Sequence, residues 1–156
     1  MIDTTILLKA YRMMSQVKAM AETYEANRSV CKYVHSTSRG HEAIQLATAF
    51  QLQPHDFVSP YYRDESIVMG IGFTPYEQML QLLAKGNDIF TGGREYYSHP
   101  NYKGDDKPTM IHQSSATGMQ AIPTTGLAQG VQYLENHLLG RLKKGANGEL
   151  PIVICS

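Results

Sequence analysis

Four short stretches of this 156-residue chain bring together side chains able to do chemistry. Tyr62-Arg63 sets a phenol beside a guanidinium fork, both suited to donating hydrogen bonds to phosphate oxygens. Asp64 and Glu65 follow at once, so the local sequence also allows Arg63 to pair with them at the surface while Tyr62 packs. Gly93-Arg94 is followed by His99, whose imidazole donates or accepts near neutral pH and could orient a substrate. A solvated loop histidine is the plain alternative. Gly40-His41-Glu42-Ala43 opens an apolar periodic run in which Glu42 can complement a helix N-terminus, and His35 precedes it in a polar stretch. Ser114 to Pro123 is rich in small residues, Ala116 and Gly118 among them. They permit close approach of a flat ring, or simply lead into a helix with Pro123 in its first turn.

Helices and short strands must position these groups. Leu7, Tyr11, Met14, Val17, Met20 or Ala21, and Tyr24 recur at helical steps, predicting one long amphipathic helix over Ile6–Tyr24 capped by Thr4 or Thr5. Gly40–Phe50 predicts a second helix with Ala43, Ile44, Ala47 and Phe50 on its apolar face. Phe57-Val58-Ser59 before Pro60 reads as a short strand. Thr74, Pro75 and Glu77 supply an N-cap, a first-turn proline and a capping-box acid for a helix through Leu83 that stops at Gly86-Asn87.

From Gly86 to about Ser114 there is no sustained periodicity, and the stretch exceeds the roughly 12–15 residues of a plain connector, which marks a functional loop. Pro123–Leu139 predicts a helix ending at Gly140. Gly126 and Gly130 share one of its faces, where a subunit contact or packing within the chain would offset their intrinsic cost. Ile152–Cys155 reads as a buried parallel strand that needs neighbours on its edges and faces.

Composition narrows the function. With 14 basic and 14 acidic residues the formal charge is zero, so nothing singles out nucleic acid or an anionic membrane as partner. Cys31 and Cys155 are too far apart in sequence to suggest a disulfide framework. The first residues lack a signal-peptide pattern, and no apolar run approaches ~20 residues. These features point to the cytoplasm and to a small substrate.

In order and spacing, Gly40-His41-Glu42-Ala43, Tyr62-Arg63-Asp64, Gly93-Arg94 with His99, and Ser114 to Pro123 together resemble the alpha subunits of thiamine-diphosphate-dependent 2-oxo acid dehydrogenases. The resemblance runs from about Ile6 to Ser156. His41 stands where the family commonly has glutamine, and Ser36 where some members carry an active-site histidine, with His35 next door. Tyr102 to Lys107 looks like an insertion relative to compact members.

The resemblance implies an α/β thiamine-diphosphate-binding fold, here incomplete. Residues 1–85 would form a mostly helical amino-terminal region with the strand near 57–59, and 86–114 an active-site loop. Residues 115–156 would begin the cofactor-binding domain and lead into the first strand of its parallel sheet. The implied enzyme is an oxidoreductase that decarboxylates a 2-oxo acid and passes the acyl group to lipoamide, with thiamine diphosphate and magnesium as cofactors. Tyr62 and Arg63 would contact the diphosphate, the backbone around Ala116 and Gly118 the aminopyrimidine, and His99 would be the catalytic histidine near substrate.

Implied partners are a beta subunit or fused beta-like region, the lipoyl-bearing acyltransferase, and further copies of the chain. Nucleic acid and membrane are not among them. In the family, the strand resembling Ile152–Cys155 runs into a Gly-Asp-Gly type motif whose aspartate binds the metal. The sequence stops before such a motif, so a truncated subunit is expected, without a metal site, bound coenzyme or activity of its own. Another thiamine-dependent reaction, such as acetoin cleavage, and a non-catalytic helix-packing domain remain as alternatives.

Overall fold

The computed structural model describes residues 2–31, 37–111, 115–137 and 139–156. The chain forms two compact units, one of Met1–Gln51 with Tyr62–Ser98 and one of Leu52–Tyr61 with His99–Ser156. The strand at 57–59 pairs with segments far downstream, and residues 86–98 fold with the helices.

The first unit is helical. α1 (Thr4–Ala26) is capped by Asp3, whose carboxylate accepts the Thr5 amide at 2.8 Å, in place of the expected threonine cap. An ionised acceptor at a helix start also complements the helix dipole. The second half of the predicted stripe, Val17, Met20, Ala21 and Tyr24, is buried and joins Cys31, Met69, Leu82 and Tyr97 in the core. Its first half stays open: Leu7 and Tyr11 are exposed and line an apolar groove with Ala43, Ala47 and Phe50.

α2 (Glu42–Ala49) therefore turns a different face inward from the one predicted. Gln45, Leu46 and Ala49 are buried, while Ile44 is 66% exposed. α3 (Glu65–Gly70), which periodicity did not reveal, packs on α2 so closely that a Cβ at Gly70 would overlap that of Ala49. α4 (Pro75–Leu82) has the predicted capping box, with Thr74 N donating to Glu77 Oε2 at 2.7 Å and Glu77 N to Thr74 Oγ1 at 3.2 Å. It ends before Gly86-Asn87, and Ala84 takes a left-handed φ of 48° in the turn.

Asp88 then organises the start of the expected loop. Its buried carboxylate accepts the amides of Phe90 (2.9 Å), Thr91 (3.1 Å) and Gly93 (3.2 Å), and the Thr91 hydroxyl (2.6 Å). Phe90 packs edge-on against Phe73 at 5.0 Å.

The second unit holds a three-stranded parallel sheet in the order β2-β1-β3. β1 (Phe57–Ser59) is central, flanked by β2 (Thr109–Met110) and β3 (Val153–Cys155), with Phe57 opposite both Thr109 and Val153. The carboxyl-terminal strand is thus the third of this sheet in sequence rather than its first. β2 arises inside the stretch predicted to be loop, being too short to show a period. Asp56 fixes the register: it is 3% exposed, and its carboxylate accepts Gln53 N at 2.7 Å and Ile152 N at 2.9 Å. α5 (Ala121–His137) packs on β3 and runs toward a 3-10 turn at Leu139–Arg141. Among the described residues, a Cβ at Gly126 or Gly130 would meet nothing within 4 Å. No helix among the described residues is long and apolar enough to cross a membrane.

Candidate functional site

In open parallel sheets, ligands bind beyond the carboxyl ends of the strands. In the second unit, the 115–120 segment is tethered there. Beyond β1, the Tyr61 hydroxyl meets Thr117 Oγ1 at 2.9 Å. Beyond β3, Gln120 Nε2 donates to the Ser156 carbonyl at 2.7 Å, and Ser156 N donates to the Ser59 carbonyl at 3.2 Å. His99 Nε2 and Ser115 Oγ lie 2.5 Å apart.

These ties leave Ala116, Thr117 and Gly118 exposed as a rim with little side-chain bulk. Gly118 has φ +81°, and the space a Cβ would enter is open. The Ala116 and Gly118 carbonyls accept Met119 N and Ala121 N, each at 3.1 Å. A carbonyl has two lone pairs, so the Gly118 oxygen retains capacity for a further donor. Ser59 Oγ is buried beside this end of the sheet without a hydrogen-bond partner.

His99 is no solvated loop histidine. It is 3% exposed and sits between two buried neighbours, Ser98 and Pro100. His41 is exposed and makes no side-chain cap on α2, while Glu42 Oε2 folds back to accept Gly40 N at 2.8 Å, as expected of an acid at a helix start. His35, Ser36 and Ser114 lie outside the described residues.

Tyr62 and Arg63 belong to the first unit, in the turn that leads into α3, and both are half-buried. The guanidinium carbon lies 5.4 Å from the Tyr62 ring centre. Gln45 of α2 holds the turn from below, its Nε2 donating to the Arg63 carbonyl at 3.1 Å and to Asp64 Oδ1 at 2.9 Å. Asp64 and Glu65 are not surface carboxylates: they are 4% and 1% exposed.

Glu65 accepts Ser38 N at 2.5 Å through Oε2, while Oε1 has no partner. Burial pushes its carboxyl up to about 7, with the Ser38 and Tyr97 hydrogen bonds pulling down and the nearby Asp64 charge adding a little upward. Burial likewise raises the phenols of Tyr24 and Tyr97, whose hydroxyls meet at 3.0 Å.

Gln45, Glu65, Tyr97 and Tyr61 were not singled out from sequence. The one available signal was a glutamine and an acid within otherwise apolar helical stretches. Arg94, by contrast, is engaged structurally, donating Nε to the Thr91 carbonyl at 2.8 Å. Among the described residues, no group of three or more His, Cys, Asp or Glu could hold a metal ion.

A family model described as Dehydrogenase E1 component matches residues 10–145. The 2-oxoisovalerate dehydrogenase subunit alpha of Bacillus subtilis (strain 168) is 34% identical over 107 residues, covering 68% of this chain and 29% of that protein. The 2-oxoisovalerate dehydrogenase subunit alpha 1, mitochondrial, of Arabidopsis thaliana is 31% identical over 132 residues, covering 84% and 27%. The pyruvate dehydrogenase E1 component subunit alpha of Bacillus subtilis (strain 168) is 29% identical over 101 residues, covering 63% and 23%. The aligned part thus amounts to less than a third of each relative's length. With residues 10–145 of its 156 matched, the chain belongs to the dehydrogenase E1 component family.

Proposed function

We propose that the chain serves in the decarboxylating component of a 2-oxo acid dehydrogenase complex, in the oxidative decarboxylation of a 2-oxo acid with acyl transfer to lipoamide. The observation that carries this is the Tyr62-Arg63 turn, held from α2 by Gln45 in a chain matched to the family over residues 10–145. A phenol and a guanidinium side by side are donors of the kind a diphosphate requires. The exposed, small-residue rim at Ala116–Gly118 fits close approach by a flat ring. The residues present therefore fit thiamine diphosphate, with magnesium bound by groups other than these.

When bound, the coenzyme supplies the nucleophilic carbon and electron sink for decarboxylation. Tyr62 and Arg63 neutralise and orient its diphosphate. The backbone at Ala116 and Gly118 supports the aminopyrimidine. His99, through Ser115, holds that segment and stands near the substrate, and the buried end of β1 limits water.

The partners proposed are a beta subunit or fused beta-like region, the lipoyl-bearing acyltransferase, and further copies of the chain. The α5 face with Ile122 and Tyr133, 77% and 59% exposed, is a surface on which such contacts can form. A cytoplasmic home agrees with two cysteines that are both free.

The test uses the full-length protein assembled with its partner subunit. Arg63→Met should weaken thiamine diphosphate binding, measured by calorimetry with magnesium present, by roughly 10–100-fold, as expected on losing a charge-assisted bond of about 1.5–3 kcal/mol. Decarboxylation assays with 2-oxoisovalerate and pyruvate, and a cleavage assay with acetoin, identify the substrate. Unchanged coenzyme affinity in the variant would refute the assignment of the grip.

A further inference from the structure

The acid directly after the Tyr62-Arg63-Asp64 turn is buried in a way that packing alone does not explain. Glu65 is 1% exposed at the first position of α3, with one oxygen on Ser38 N and the other unpartnered. An apolar side chain would avoid this desolvation. Ser38 is itself 0% exposed, and its hydroxyl lies 3.1 Å from that of Ser66. Two adjacent residues of α3 thus tie the backbone preceding α2 to the base of the turn, while Gln45 ties α2 to Arg63 O and Asp64.

We propose that Glu65 is a positioning residue for the diphosphate grip: its carboxylate locks the Ser38 backbone to the turn presenting Tyr62 and Arg63, tightening the grip when ionised and slackening it when protonated. The proposal deepens the functional reading above and rests on it. The groups facing Glu65 are Tyr24 from α1, Tyr97 from the segment after α4, Asp64 from its own turn, and Ser38 from the stretch before α2. Gln45, the polar residue that α2 turns toward this turn, carries no titratable proton. The two phenols are pushed far above neutrality by burial, whereas burial brings the Glu65 carboxyl up to about 7.

The experiment compares the assembled full-length protein with its Glu65→Gln and Arg63→Met variants, titrating thiamine diphosphate with magnesium by calorimetry between pH 6 and 8. Glutamine retains an acceptor for Ser38 N but cannot ionise. Wild-type affinity should fall by about tenfold more than that of Glu65→Gln on going from pH 8 to 6, the coenzyme's own protonation being common to both. At pH 8, Glu65→Gln should bind several-fold more weakly than wild type.

A second readout needs no coenzyme: the Ser38 amide resonance should titrate near pH 7 in the wild type and stay flat in Glu65→Gln. If Arg63→Met binds like wild type, the grip itself is misassigned and this inference falls with it. If Arg63→Met binds weakly while Glu65→Gln matches wild type in affinity and pH dependence, the grip stands and the positioning role is refuted. A Ser38 resonance that does not titrate also refutes it.

Discussion

Glu65→Gln should reverse the usual expectation that neutralising a buried, hydrogen-bonded acid weakens a fold. The carboxyl stands at about 7 in the folded chain against an ordinary value of 4.5. Because the folded chain holds the proton more tightly than the unfolded one, this group stabilises most below pH 4.5. The contribution is lost as pH rises from about 4.5 to about 7. At about 1.4 kcal/mol per pH unit, the loss is on the order of 3 kcal/mol.

Glutamine is neutral throughout, so urea denaturation at fixed ionic strength should show the variant gaining on the wild type by roughly 2–3 kcal/mol between pH 5 and 8. Surface acids do not confuse the comparison. The carboxyls of Glu25, Asp106 and Glu149 are held low, chiefly by hydrogen bonds from Arg28, from Lys107 and Tyr102, and from Asn147 respectively. What they contribute is lost only as pH falls through their depressed range, equally in both proteins. A difference between wild type and variant that stays constant within about 0.5 kcal/mol from pH 5 to 8 would show that Glu65 is ionised without penalty.

Two further substitutions probe the elements around the site. Gly93→Ala places a Cβ 2.7 Å from the Ala84 carbonyl at a residue with φ +73°. It should cost about 1–3 kcal/mol in thermal or urea melts, and a neutral outcome would mean the loop shifts freely. Gly126→Leu places a Cβ where nothing among the described residues lies within 4 Å, so the chain should keep its stability or gain up to about 0.8 kcal/mol from helix propensity. If the α5 face is an assembly surface, the same variant should lose co-purification with its partner subunit. Destabilisation of the chain alone would show that the face is covered within it.

Signals built on local chemistry were legible from sequence. Thr74, Pro75 and Glu77 predicted the start of α4, and Phe57-Val58-Ser59 predicted β1, each from a few neighbouring residues. Features that depend on distant partners were not. α3 is six residues and β2 two, both too short for a period to emerge. On α2, the set Ala43, Ile44, Ala47 and Phe50 and the set Gln45, Leu46 and Ala49 have comparable helical spacing, and only the hydrogen bonds from Gln45 to the Arg63 turn show which one faces in. His99 was legible as a residue type, but its burial and its hydrogen bond with Ser115, which is distant in sequence, were not.

The polar residues under the Tyr62-Arg63 turn share a further property. Gln45 Oε1 and Glu65 Oε1 are both buried and without partners, and both residues make bonds that define the position of that turn. A buried acceptor left unmatched costs about 1–3 kcal/mol, so two of them within one small cluster oppose folding. Local rules are broken most often where position matters more than stability. At pH 8, Glu65→Gln should therefore be the more stable protein and the poorer binder of thiamine diphosphate. That opposition of sign separates a positioning role from a structural one, since a purely structural residue would move stability and affinity in the same direction.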